Sequence, residues 1–195
     1  MARVIMSDLN IRSKLGGRRG HHDEGGGAMC AMCDGRSLEE YLHGIEELID
    51  RHGWALQYVE SGGEDPDDSS GIDPAFCYTI GMTAYGHPEI VITGRDPAES
   101  ASALNSLARQ VAVGRQRFEA GMRVWAKGFD FYFVDVERSD EWLTIADRMY
   151  PPGPVRAVQA VWRSCDGTLP WEGNLQSTIV QPVLGPPPGW YDGSI

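Results

Sequence analysis

The sequence predicts an α+β domain with a mainly antiparallel sheet of about five to six strands and two or three helices packed on one face of it. Two amphipathic segments with clear capping residues begin at Ser37 and Asp96. Between and after them, runs of β-branched and aromatic residues follow one another without an intervening helix. Strands that come in runs favour antiparallel pairing, whereas strict alternation with helices would favour a parallel sheet.

The first helix is predicted from Ser37 to Gly53. Ser37 is a good N-cap residue, and Glu40 three positions later completes a capping box. One face of the segment is apolar, through Leu38, Leu42, Ile45, Leu48 and Ile49. Glycine at position 53 is the expected end, because the residue after a helix commonly adopts a left-handed conformation.

Two more helices are predicted further along the chain. Asp96 is the N-cap of the second, with Pro97 at its first position, and the helix should stop near Gly114. Ser139 is predicted to cap a short third helix that continues through Met149.

The predicted strands are rich in valine, isoleucine and aromatic residues, which favour extended structure. They span residues 54–60, 75–82, 89–93, 122–126, 129–137 and 155–163. Segments 75–82 and 89–93 are separated by a short turn and are therefore expected to be a hairpin or neighbouring strands.

Composition divides the chain into a flexible, glycine-rich basic tail at 1–29, one α+β domain at 30–184 and a proline-rich tail at 185–195. The net charge is −11. The first 29 residues have a net charge of +2, so the excess of acidic residues lies in the rest of the chain. An acidic body repels phosphate backbones, which disfavours direct nucleic-acid binding. The sequence also contains no apolar stretch long enough for a membrane span, so a cytoplasmic location is expected.

A Cys-x-x-Cys pair at Cys30 and Cys33 is the pattern with the most direct link to chemistry. Two thiolates at this spacing can bind one tetrahedral zinc ion, and His21 and His22 lie close enough upstream to complete four ligands. Three interpretations stay open for the pair: a zinc site, a redox dithiol and an incidental pair without function. No thioredoxin-like pattern surrounds it, which disfavours the redox interpretation.

A second group combines polar and aromatic side chains at the predicted strand ends. Its members are Tyr78, His87, Glu89, Gln159, Trp162, Trp171 and Gln181. Together they can line a pocket for a small polar molecule, in which His87 and Glu89 would supply a base and an acid. The alternative is structural: the histidine bonds its own turn, the glutamine satisfies an edge carbonyl and the tryptophans belong to the core. Convergence of His87, Glu89 and Gln159 on one cavity is what distinguishes the first interpretation.

No recognisable catalytic motif accompanies these residues. The sequence has no nucleophile elbow, no phosphate-binding glycine loop and no His-Glu-x-x-His zinc motif. The first functional hypothesis is therefore a cytoplasmic binding or regulatory domain that uses the Cys pair for zinc and a protein as its partner. The alternative hypothesis is an enzyme or small-ligand-binding protein that uses the His, Glu, Gln and Trp pocket.

Several short motifs resemble a bacterial family known as domain of unknown function 4262. They are His52-Gly53-Trp54, Phe76-Cys77-Tyr78-Thr79-Ile80-Gly81, Gly86-His87-Pro88-Glu89, Gln159-Ala160-Val161-Trp162, Pro170-Trp171-Glu172 and Gln181-Pro182. The resemblance runs from about Cys30 to Leu184. It implies a single-domain bacterial protein of a kind common in actinobacteria, and it brings no catalytic residue with it.

Overall fold

A computed structural model describes residues 4–5, 37–60, 75–173 and 175–190 of the chain. The strands are β1 (Val4–Ile5), β2 (Ala55–Val59), β3 (Phe76–Ile80), β4 (Glu89–Thr93), β5 (Arg123–Ala126), β6 (Phe129–Asp135) and β7 (Ala157–Trp162). The helices are α1 (Leu38–His52), α2 (Pro97–Ala112), α3 (Ser139–Trp142), α4 (Thr144–Met149) and α5 (Leu175–Val180), and a 3₁₀ turn spans Met82–Tyr85.

These strands form one sheet in the order β1-β2-β3-β4-β7-β6-β5. All neighbouring pairs of the described sheet are antiparallel except β4 and β7, which run parallel with Val91 opposite Gln159. The predicted α+β class and mainly antiparallel sheet are thus confirmed. The sheet has one strand more than the upper predicted number, because Val4–Ile5 pairs with β2 at the edge.

The prediction that the helices pack on one face is wrong. Leu104 and Leu107 of α2 share a core with Leu56, Ile90 and Ile92 on one face of the sheet. On the opposite face, α1 and α4 cover alternate residues of the same strands; this second core includes Tyr41, Ile45, Ala55, Tyr78, Val91 and Ile145. Strands buried on both faces explain why the central runs are apolar almost without interruption.

Helix boundaries follow their capping residues closely. The Ser37–Glu40 capping box is present, and Gly53 ends α1 with φ of 89°. Asp96 caps α2 by accepting hydrogen bonds from the backbone N–H groups of Ala98 and Glu99. The predicted cap at Ser139 is wrong: this residue lies inside α3, and its hydroxyl donates instead to the carbonyl of Val155 at 2.6 Å. That bond ties α3 to the entry of β7.

Candidate functional site

Glu89 occupies a closed cradle at the start of β4. Its side chain is fully buried and accepts three backbone hydrogen bonds, from the N–H groups of Gly81, Met82 and Thr83 at 3.1, 3.2 and 2.9 Å. The hydroxyls of Thr79 and Thr83 donate two more, at 2.7 and 2.8 Å. The 3₁₀ turn has no capping side chain at its own start, so Glu89 satisfies its free N–H groups from the neighbouring strand.

The surroundings of Glu89 act on its pKa in opposite directions. Burial raises the pKa of this carboxyl group, and the hydrogen bonds from Thr79, Thr83 and Gly81 oppose that rise. Both carboxyl oxygens are already occupied by donors of the protein. We therefore assign Glu89 a structural role in holding the turn rather than a role as an acid.

His87, two residues before Glu89, also has all of its hydrogen-bonding side-chain atoms occupied by the protein. The ring is 3 % exposed, and its Nε2 accepts a hydrogen bond from the backbone N–H of Phe118 at 2.8 Å. Its Nδ1 lies 2.6 Å from the carbonyl oxygen of Pro88. One nitrogen must then carry the hydrogen and the other must accept, which defines a neutral imidazole protonated on Nδ1. Burial lowers the pKa of His87, and the bond to Pro88 opposes that shift.

Tyr78 and Gln159 also lie in the interior. Tyr78 belongs to the core beneath α1, where its ring lies 6.0 Å from that of Phe76, and burial raises the pKa of its hydroxyl. The Nε2 of Gln159 donates to the hydroxyl of Thr93 at 2.9 Å and to the carbonyl of Pro182 at 2.8 Å. Its Oε1 accepts from the N–H of Leu184 at 2.7 Å. Gln159 therefore fastens the C-terminal segment to the middle of the sheet.

Gln181 fastens the same segment to the end of β7. Its amide accepts from the N–H of Trp162 at 2.8 Å and donates to the carbonyl of Trp162 at 2.8 Å, in the way that a neighbouring strand would. The indole N–H of Trp162 donates to the carbonyl of Thr93 at 3.0 Å. The Arg95 guanidinium carbon lies 3.7 Å from the centroid of the Trp162 ring, within cation–π distance.

Next to Trp162 and Gln181 lies a cavity of about 300 Å³. Its wall is contributed by the end of β7, the loop after it and α5. The lining residues are Trp162, Ser164, Thr168, Leu169, Pro170, Ser177, Val180 and Gln181. This volume lies at the lower end of the range for small-molecule sites. We call this space the Trp162 cavity.

Of the residues predicted to form a pocket, the structure places Trp162 and Gln181 in the wall of the Trp162 cavity. His87, Glu89 and Gln159 are not among its lining residues, so the expected convergence of these three on one cavity is not found there. Trp171 is half-buried near the cavity and packs edge-on against Tyr132, with 5.6 Å between ring centroids.

Sequence reasoning missed the hydroxyl side of the cavity. Ser164 and Thr168 lie on the loop after β7, where both hydroxyls cluster around the carboxylate of Asp166. The only signal was Asp166-Gly167, which indicates a turn and nothing more. Ser177 and Val180 were missed because the sequence analysis predicted no helix at 175–180.

The predicted metal ligands Cys30, Cys33, His21 and His22 lie outside the described residues. Within the described ranges, no group of three or more His, Cys, Asp or Glu side chains is arranged to hold a metal ion. Among the described helices, none is both long and apolar enough to cross a membrane.

Comparison with known proteins identifies the class. The family model described as "Domain of unknown function (DUF4262)" matches residues 48–176, which is well over half of the chain. The chain belongs to this family. No curated protein and no solved structure matches it significantly. The matched range contains Trp162, Ser164, Thr168, Leu169 and Pro170 of the cavity wall, whereas Ser177, Val180 and Gln181 lie beyond its end.

Proposed function

We propose that this chain is a small-ligand-binding protein whose ligand occupies the Trp162 cavity. The single observation that carries the proposal is the composition of the wall. One tryptophan, three aliphatic or proline side chains and a few hydroxyls surround about 300 Å³ of space. Ligand sites are typically concave, mostly apolar and furnished with a small number of directed polar groups.

Binding is favoured over acid–base catalysis by the state of His87 and Glu89. A general base needs a free lone pair, and a general acid a transferable proton, within reach of the substrate. Every ring nitrogen of His87 and both carboxyl oxygens of Glu89 are engaged by the protein itself. We therefore propose no reaction. Of the alternative hypothesis, an enzyme or a small-ligand-binding protein, we retain ligand binding.

Filling the cavity tests this proposal. Val180 lines the cavity, yet its side chain is 48 % exposed, so Val180→Trp should fill part of the space and leave the core intact. Val113→Trp is the matched control, because Val113 is 78 % exposed at the end of α2 and is absent from the cavity wall. Binding of indole, phenol and cyclohexanol is measured by NMR titration of ¹⁵N-labelled protein.

The expected result is saturable binding of at least one of these probes to the wild type and to Val113→Trp. The shifted signals should come from residues 162–169 and 177–181, and Val180→Trp should weaken binding at least about tenfold. Absence of binding, or equal binding by both tryptophan variants, would overturn the proposal.

Zinc binding is a second candidate function, favoured by the spacing of Cys30 and Cys33. In this version the chain is a cytoplasmic regulatory domain that senses zinc through Cys30, Cys33, His21 and His22 and acts on a protein partner. Protein purified without chelator should then contain about one equivalent of zinc, which Cys30→Ser removes, because thiolates supply much of the affinity of such sites. Elemental analysis without zinc would refute it.

A further inference from the structure

On one side of the Trp162 cavity, the hydroxyl groups of Ser164 and Thr168 contact each other and the carboxylate of Asp166. Ser164 Oγ and Thr168 Oγ1 lie 2.9 Å apart. Thr168 Oγ1 lies 2.7 Å from Asp166 Oδ1, and Ser164 Oγ contacts the same carboxylate oxygen. Ser164 Oγ also lies 3.0 Å from the carbonyl oxygen of Thr168. Each hydroxyl has one hydrogen to donate and two lone pairs to accept with.

Asp166 and the Thr168 carbonyl take up these hydrogens. Hydrogen bonds from Ser164 and Thr168 lower the pKa of Asp166 to about 2, so this residue is a carboxylate at neutral pH and can only accept. Both hydroxyl hydrogens are thereby directed to acceptors of the protein. On this side of the cavity, the lone pairs of the two hydroxyl oxygens remain for a bound molecule.

The charges near the cavity wall limit which ligand charge is favourable. None of the lining side chains is charged, but the Asp166 carboxylate contacts both wall hydroxyls and would repel an anionic ligand bound to them. The guanidinium of Arg95 lies over the Trp162 ring, and a cationic ligand stacking on that ring would be repelled by it. A neutral molecule avoids both penalties.

We propose that the Trp162 cavity selects a neutral, largely apolar molecule by an N–H or O–H group that donates to the hydroxyl oxygens of Ser164 and Thr168. This inference rests on the proposed ligand-binding function and adds the chemical class of the ligand.

Indole and benzofuran test this preference for a donor. The two molecules have nearly the same shape, but indole has an N–H donor where benzofuran has an ether oxygen. A purely apolar cavity would prefer benzofuran, which loses less hydration on binding. A wall of acceptors reverses that order, so indole should bind wild-type protein about threefold to tenfold more tightly than benzofuran. Dissociation constants come from NMR titration of ¹⁵N-labelled protein.

Asp166→Ala sharpens the test, since it removes the carboxylate oxygen that both hydroxyls contact and leaves a hydroxyl hydrogen free to point into the cavity. The preference for indole should fall at least about threefold in this variant. Asp50→Ala is the matched control, because Asp50 is also exposed but lies near the end of α1, and it should keep the wild-type preference.

The outcomes separate the two proposals. Equal or tighter binding of benzofuran by the wild type, blocked by Val180→Trp, would overturn the donor preference and leave the cavity as a ligand site. Unchanged preference in Asp166→Ala would also overturn it, because the preference would then not depend on the Asp166 acceptor. Binding of neither probe would overturn the proposed function and this inference together.

Discussion

The turn around Glu89 and the cavity beside Trp162 both concentrate polar and aromatic side chains, but their hydrogen-bonding groups are used differently. In the turn, five donors converge on one buried carboxylate, and both nitrogens of His87 are occupied. At the cavity, the amide of Gln181 bonds to the backbone of Trp162, and about 300 Å³ of space remains beside these two wall residues.

This difference shows that a dense polar cluster is not by itself a site. A buried polar group must find its partners within the protein, and a group whose partners are all present has nothing left for a ligand. The turn region should therefore respond to substitution through stability, and the cavity region should respond through binding.

Glu89→Gln should destabilise the protein by about 3 kcal/mol or more. The new amide nitrogen replaces either Oε1, which accepts from Gly81 and Thr83, or Oε2, which accepts from Met82. One or two buried N–H groups then lose their acceptor and the buried amide itself faces donors, at about 1–3 kcal/mol for each unsatisfied group. Urea unfolding gives the free energy of unfolding. Glu46→Gln is the control: its side chain is 60 % exposed on α1, and it should cost under about 0.5 kcal/mol.

A loss below about 1 kcal/mol for Glu89→Gln would mean that the cradle is not a principal support of the turn. In that case Glu89 would return as a candidate functional carboxylate.

Gly94→Ala and Gly86→Ala compare the two regions at the same backbone angle, since both glycines have φ of 69°. A methyl group at Gly86 meets no atom within 4 Å, whereas at Gly94 it would lie 2.0 Å from the carbonyl oxygen of Val180. Gly86→Ala should cost about 1 kcal/mol for the left-handed conformation alone. Gly94→Ala should cost about 2 kcal/mol more, because α5 must shift.

Gly94→Ala should also weaken indole binding, since Val180 belongs to the cavity wall, while Gly86→Ala should leave it unchanged. Equal stabilities of the two variants would show that α5 yields without cost. Thermal and urea unfolding measure the first effect, and NMR titration measures the second.

His87→Gln should cost about 2 kcal/mol at pH 8, because two buried hydrogen bonds are altered. Its effect should depend on pH. Burial lowers the pKa of His87 in the folded state below the ordinary value of 6.5, so the unfolded state takes up the proton first. The stabilisation is fully present above pH 6.5 and is lost as the pH falls through the folded-state pKa.

Subtracting the unfolding free energies of His87→Gln from those of the wild type, measured from pH 8 to pH 4.5, isolates this contribution. The difference should shrink on acidification. His43→Gln, at a histidine whose side chain is 71 % exposed, is the control and should cost under about 0.5 kcal/mol at pH 8. A difference for His87 that grows at low pH would contradict the neutral, buried imidazole.

Much of the secondary structure was predictable because it depends on local patterns. Ser37 with Glu40 and Asp96 with Pro97 marked two helix starts, and the strand at 89–93 was predicted with its exact bounds. Ser139 shows the limit of such patterns, because it is the first residue of α3 and its hydroxyl bonds to a distant carbonyl instead of a nearby N–H group. The placement of helices on both faces depended on packing that no local pattern records.

The candidate site was predictable only in part. Trp162 and Gln181 were named from the sequence and do line the cavity, whereas Ser164, Thr168 and Val180 carry no distinctive signal. His87 and Glu89 were singled out for their chemistry, but that chemistry is used up by Phe118 and by the Gly81–Thr83 backbone. Residue type gives the capacity for hydrogen bonding and cannot say which partner takes it.

The α+β class, the capped helices, the strand runs and the family resemblance can all be read from local patterns, because periodicity and capping act over a few neighbouring residues. Tertiary structure alone decided where α1 and α2 pack, which polar groups are satisfied and where space is left. These features depend on hydrogen bonds between residues that are distant in the sequence. Glu89 bonds to Gly81, eight residues away, and Gln159 bonds to Pro182 and Thr93, which are 23 and 66 residues away. Such partners become neighbours only when the chain folds.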